Sequence, residues 1–249
     1  MDGKVVQMER RTTVFIALLV VGALLIAEAA MAAPSAPVSI SNGGSSRRNL
    51  STLPGLTVDA QAGNVTQINI TALAITKSWQ GYYGNVSGAI TLDTANNKTF
   101  YNWSVTSAKG QIYAARVAAP DFTTVNCTTA AAITTEETAL GQTASDADSV
   151  NNTFTGTANP QFYVGSVGIP ANSCKTTNAF GSSGAQSSDF YQVLLSDTNG
   201  SGNIIYTTLM NGTKAGFDGN NWDFELLVGQ NGHTGGSATT PYYFFVELA

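Results

Sequence analysis

From Leu56 onward the chain is a succession of short apolar–polar alternations separated by turn residues, and this pattern limits its fold more than any other feature. Successive side chains of a strand point to opposite faces, so a two-residue period marks a half-buried strand. Val65–Thr71 carries that period, and Ala89–Leu92 and Thr99–Val105 carry it on either side of an Asp/Asn-rich turn. The latter pair predicts a hairpin with an aromatic face, built on Phe100, Tyr101 and Trp103. Further strands are expected at Gln111–Val117, Thr153–Thr157, Gln161–Val167, Phe190–Leu195, Asn203–Leu209, Asp223–Val228 and Tyr242–Leu248. Helical signals are confined to Thr134–Ser149, where Thr135 is a capping residue, Glu136 and Glu137 suit a first turn, and Gly141 a stop. Many short strands and one short helix predict an all-β fold, a single β-sandwich or jelly-roll domain over residues 56–249.

The segments ahead of that domain read differently. Residues 1–32 have the form of a signal peptide: Lys4, Arg10 and Arg11, an apolar run from Val14 to Ala27, then Ala30-Met31-Ala32 as a cleavage site. The apolar run is 14 residues long, short of the roughly 20 that a membrane span requires. Residues 33–55 are rich in Pro, Ser and Gly and read as a flexible arm. Inside the arm Val38, Ser39, Ile40 and Ser41 alternate, a short donor strand without a sheet of its own. The mature chain then shows no anchor at either end, and its expected location is extracellular or on the cell surface.

Export bears on the cysteines. Cys127 and Cys174 are the only two in the chain, and an oxidising compartment pairs them most simply. It bears also on ten Asn-x-Ser/Thr sequons, at Asn49, Asn64, Asn69, Asn85, Asn97, Asn102, Asn126, Asn151, Asn199 and Asn211. N-linked glycans at several of them would give solubility to a surface with few charges. The net charge is −5, and the one basic pair of the mature chain, Arg47-Arg48, sits in a Gly/Ser linker. Nucleic acid, which demands clustered Lys and Arg, is a poor partner for such a chain.

Little points to catalysis. Asp218, Asp223 and Glu225 are close in sequence, but Trp222, Phe224 and Leu226 alternate with the last two, as on the polar side of an ordinary strand. His233 is the only histidine, and no nucleophile elbow or phosphate loop is present. The expectation is a protein that is not an enzyme and holds no cofactor. One weak cation candidate remains. Asp197, Asn199 and Ser201 match the start of a calcium loop, but Thr208 stands where the loop's bidentate Glu belongs. The same residues suit a hairpin turn, which is the preferred reading. Trp79, Tyr82 and Tyr83 would serve either as a sugar-stacking platform or as core aromatics, and core packing is the commoner use.

The block Trp79-Gln80-Gly81-Tyr82-Tyr83-Gly84-Asn85-Val86-Ser87-Gly88-Ala89-Ile90-Thr91-Leu92-Asp93, running on to Phe100-Tyr101-Asn102-Trp103, resembles secreted cell-surface proteins of archaea. The likeness extends to Ser188-Asp189-Phe190, to Gly216-Phe217-Asp218-Gly219 and to the aromatic C-terminal run. It implies an archaeal surface setting and brings no catalytic residues with it. Taken with the arm, the sequons and the low charge, it predicts a structural subunit of a filament or surface layer, whose partners are copies of itself. The arm of one copy would add as a strand to the sheet of the next. The alternative is a secreted adhesin or carbohydrate-binding module.

Overall fold

The structure is a computed structural model, and it describes residues 33–48, 55–105, 107–232 and 239–249. The expected signal peptide and Asn49 lie outside these. Strands β1 (Trp79–Gly84), β2 (Ala89–Asp93), β3 (Thr99–Ser104), β4 (Lys109–Ala115) and β5 (Asn126–Cys127) come first. Helices α1 (Ala130–Ala139) and α2 (Val150–Thr153) follow, then β6 (Phe162–Val164), β7 (Val167–Ile169), β8 (Thr176–Phe180) and β9 (Gln186–Ser196). A single turn, α3 (Asp197–Gly200), leads to β10 (Ile204–Asn211), β11 (Lys214–Ala215), β12 (Asn221–Trp222), β13 (Phe224–Gly229) and β14 (Tyr243–Leu248).

The all-β class holds: the strands form several antiparallel sheets and the helices are short. At the centre is one antiparallel sheet in the order β14–β4–β10–β9, with β8 and β5 sharing the far edge of β9. Its inner strands carry unbroken buried runs: Gln111 to Ala115, Gln192 to Asp197 and Ile204 to Thr208. A strand buried on both faces reads this way, since no side has to meet water.

Each face of the sheet accordingly has its own hydrophobic cluster. On the first, Ala114, Leu194 and Tyr206 meet Ile133 and Leu140 of α1, Val150 of α2, and Leu226 and Val228 of β13. There β13 pairs with β1 as a separate two-stranded ribbon. On the second, Tyr113, Val193, Leu195 and Ile205 meet Phe162, Val164 and Ile169 of the β6–β7 hairpin. Each fully buried large side chain of this kind contributes about 1.5–3 kcal/mol.

Four local expectations are corrected. Val65–Thr71 forms no strand: the alternation of Gln67–Thr71 is real, but among the described residues no strand lies beside it. Thr153–Thr157 is the end of α2 and an isolated bridge at Gly156, not a strand. Gln161–Val167 folds as a hairpin instead of one strand, turning at Gly165, whose φ of 56° suits glycine. Helix α1 begins five residues before Thr135. Its cap is Thr129, whose hydroxyl accepts the Ala132 N–H at 3.3 Å, and the three alanines behind it are strong helix formers. Glu136 and Glu137 are therefore in the second half of the helix, buried. Strand β8 was not foreseen either, because Thr176-Thr177-Asn178-Ala179-Phe180 lacks the two-residue period; the long edge of β9 recruits it.

Candidate functional site

The outermost strand of the central sheet is β14. Ala249 donates its N–H to Lys109 O at 3.0 Å, so alternate residues back from it, Glu247, Phe245 and Tyr243, direct their backbone groups towards β4. Phe244, Val246 and Leu248 direct theirs outward. Only Val246 meets a partner there among the described residues. It exchanges two hydrogen bonds with Ser35 of the arm, at 2.8 and 3.0 Å. Among the described residues the arm thus pairs with the sheet at one point, three residues ahead of the expected donor strand. Val38 and Ile40 stand in solvent, at 106% and 66% exposure.

Glu247 fixes β14 to the body. It is 1% exposed, accepts the Tyr113 hydroxyl at 2.7 Å, and accepts the Gly165 N–H at 3.0 Å. Burial raises its pKa, and burial likewise raises that of Glu225. An acid whose folded-state pKa is raised stabilises most below its unfolded value, and that stabilisation is lost as pH rises through the folded value. Glu247→Gln keeps an acceptor without the charge. Urea titrations from pH 4 to 7 should therefore show the wild-type chain losing stability relative to this variant as pH rises. A relative loss on acidification is the opposite result and would refute the sign.

The acidic cluster anchors loops. Asp223 accepts the Val86 N–H at 2.8 Å and the Thr213 hydroxyl at 2.7 Å, and Glu225 accepts the Phe217 N–H at 2.9 Å. Asp218, exposed, accepts from Asn220 and from the Trp222 indole at 2.9 Å; the Asn220 side chain leads in lowering its pKa. The calcium candidate behaves as a turn. The Asp197 carboxylate accepts the Asn203 N–H at 2.6 Å and its side-chain amide at 3.1 Å, while Thr198 and Asn199 take positive φ. Among the described residues no group of three or more His, Cys, Asp or Glu stands in a metal-holding arrangement.

The three aromatics of the sequence block separate. Trp79 is core: its indole donates to Asp148 O at 2.7 Å and its ring meets Phe154 and Tyr206. Tyr82 packs edge-on against Phe244 of β14. Tyr83 is half exposed and lies 5.1 Å from Phe217 and 5.0 Å from Trp222 between ring centres. Phe217 and Trp222 were not foreseen as partners, although Gly216-Phe217-Asp218-Gly219 lies within the second resemblance block. Tyr83 and Phe217 border an open groove of about 1460 Å³ that also touches Arg47, Arg48 and Glu225. Gln192 lines it too. That residue is fully buried, and its Nε2 has no partner among the described residues.

Cys127 and Cys174 form a disulfide. The nine sequon asparagines that are described are all exposed. Among the described residues no helix is long and apolar enough to cross a membrane. Fold and edge together define an all-β domain with a half-open sheet margin. No protein-family model matches the chain, and no curated protein or solved structure does so.

Proposed function

We propose that this chain is a structural subunit of an extracellular, glycosylated filament or surface layer, in the archaeal setting that its sequence block suggests. Copies join by strand addition: residues Val38–Ser41 of one arm lie along the outer edge of β14 in the next. The body we read as sandwich-like, its central sheet covered on both faces by smaller ribbons and helices. The observation that carries the proposal is the β14 margin. Among the described residues it offers the backbone groups of Phe244 and Leu248 unpaired on either side of a single bridge to Ser35. An uncovered edge is a template for another strand, and a head-to-tail contact of this kind grows an open fibre. Exposed sequons on every described position are compatible with glycans on the outside of such a fibre.

The test compares the chain from Ala33 with one lacking residues 33–48, by electron microscopy and light scattering. The longer chain should polymerise. The shorter should remain a monomer with unchanged circular dichroism. Polymers of equal length from the shorter chain would remove the arm from the mechanism.

A second reading, sugar binding, is favoured by Tyr83 and Phe217 on the groove that the Gln192 amide also lines, with Trp222 packed edge-on against Tyr83. Aromatic faces stack on apolar sugar faces, and an amide donates to hydroxyls. Tyr83→Ala should abolish binding on a glycan array while leaving the melting temperature within about 2 °C, since the ring is surface-exposed. Binding that survives this change, or an array without specific signal, rejects the reading. Trp79→Ala is unsuitable as a probe, because loss of a core ring costs about 3–5 kcal/mol.

A further inference from the structure

The β2–β3 ribbon is the least protected part of the fold. Among the described residues neither strand pairs with any other, and all eleven of its residues are exposed. Its register sets Ile90 opposite Trp103 and Leu92 opposite Tyr101, so these four side chains share one face. They are 43–57% exposed. An isolated two-stranded ribbon is marginal in water, whereas a third strand over an apolar face crosses into stability. Exposed apolar patches of this kind mark contacts.

The same chain displays a strand that lacks a sheet. Residues 64–73 join no strand among the described residues, and Val65, Ile68, Ile70 and Leu73 are 54–102% exposed. The stretch contains no charge and no proline, the two usual guards against edge pairing. Thr66, Ile68 and Ile70 share one side of an extended chain and Gln67, Asn69 and Thr71 the other.

We infer that the apolar face and open edge of the β2–β3 ribbon are a second self-association surface, occupied by residues 64–73 of another copy. This contact rests on the reading of the chain as self-assembling and is separate from the arm on β14. A second copy is favoured because β1 stands between the two elements in a single chain. The segment enters at the Trp79 end of β1, and the ribbon leaves from the Gly84 end, roughly 17 Å away. Both ends are fixed: Ser78 O accepts from Gln230, and Gly84 O accepts from Asp223. Ala74–Lys77, four residues, span at most about 14 Å. A segment laid on its own ribbon would have to pass β1 on the reach of Ala74–Lys77 and Asn85–Gly88, a constraint absent between copies. Asn69 alternates with Ile68 and Ile70, and Asn102 lies on the ribbon face opposite Tyr101 and Trp103, so glycans at these two point away from the contact, whereas Asn64, at the end of the segment, falls on the Ile68 side.

Cysteine cross-linking tests this, because the two native cysteines are paired and none is free. Chains carrying Ile70→Cys are mixed with chains carrying Leu92→Cys and mildly oxidised. Cross-linked heterodimers should form, and Trp103→Ser in the Leu92→Cys chain should lower their yield at least tenfold. That variant leaves the body intact, since Trp103 touches only Tyr101 of its own ribbon among the described aromatic contacts. A doubly substituted chain that cross-links only within itself overturns the inference, as does absence of any cross-link. Repeating the experiment without residues 33–48 separates the two contacts. Heterodimers that persist where polymers do not establish the ribbon contact apart from the arm; heterodimers lost with the arm overturn it as an independent surface.

Discussion

Replacing Glu136 by alanine is expected to cost the folded chain about 3 kcal/mol, the lower end of the range for breaking a buried ion pair. The side chain is 5% exposed and serves three donors. Arg116 approaches it with both Nε, at 3.1 Å, and a terminal guanidinium nitrogen, and the Tyr206 hydroxyl donates to it at 3.3 Å. The hydrogen bond to Glu136 leads in raising the Arg116 pKa; burial and Glu136 together hold the Tyr206 hydroxyl protonated. Alanine leaves the guanidinium without its carboxylate partner and takes one acceptor from the buried Tyr206 hydroxyl. The Arg116 side chain is 33% exposed and recovers some hydration, which keeps the loss near the low end. A drop of about 6–12 °C in melting temperature corresponds to it. Pairing Glu136→Leu with Arg116→Leu should recover most of the loss, because neither change then strands a charge. A single variant that loses under about 1 kcal/mol, or a double variant less stable than the single, contradicts this account.

Part of this arrangement was legible in the sequence. The alternation on either side of an Asp/Asn turn located β2 and β3, while β10, β13 and β14 were found to within a few residues as short apolar runs bounded by turn residues. It misread Val65–Thr71 for an instructive reason: alternation records a strand's readiness to pair, and the partner need not be in the same chain. It missed β8, whose pairing comes from the length of β9. The glutamates at 136 and 137 looked like a helix start on charge alone. What decided their place was Thr129 ahead of an alanine run, a cap that competes with Thr135 and wins on propensity. The open β14 edge could not be read at all, since an edge is a property of strand order. The aromatic block was visible, but which ring packs inside and which faces out depends on Phe217 and Trp222, more than 130 residues away.

Removing the disulfide should cost about 4 kcal/mol on the chain-entropy account, and the loss should fall unevenly over the molecule. Cys127 and Cys174 are 47 residues apart. The segment between them is an excursion that begins and ends on one edge: Cys127 of β5 is opposite Leu195 of β9, and Thr176 of β8 is opposite Val193. In between, α1 and α2 cover the first face of the central sheet, and the β6–β7 hairpin covers the second. The bond therefore closes the loop that supplies cover to both cores. Cys127→Ala with Cys174→Ala avoids placing a hydroxyl at position 174, which is fully buried. The double variant should melt about 8–16 °C lower. Hydrogen exchange should accelerate most across residues 130–169. Strands β4, β9 and β10 should retain the slowest amides, because their ladders do not depend on the loop. Equal acceleration of all strands would mean that the excursion and the sheet open as one unit. A stability change within about 1 kcal/mol would mean that the unfolded chain is already compact enough to gain nothing from the cross-link, and the entropic account would fail.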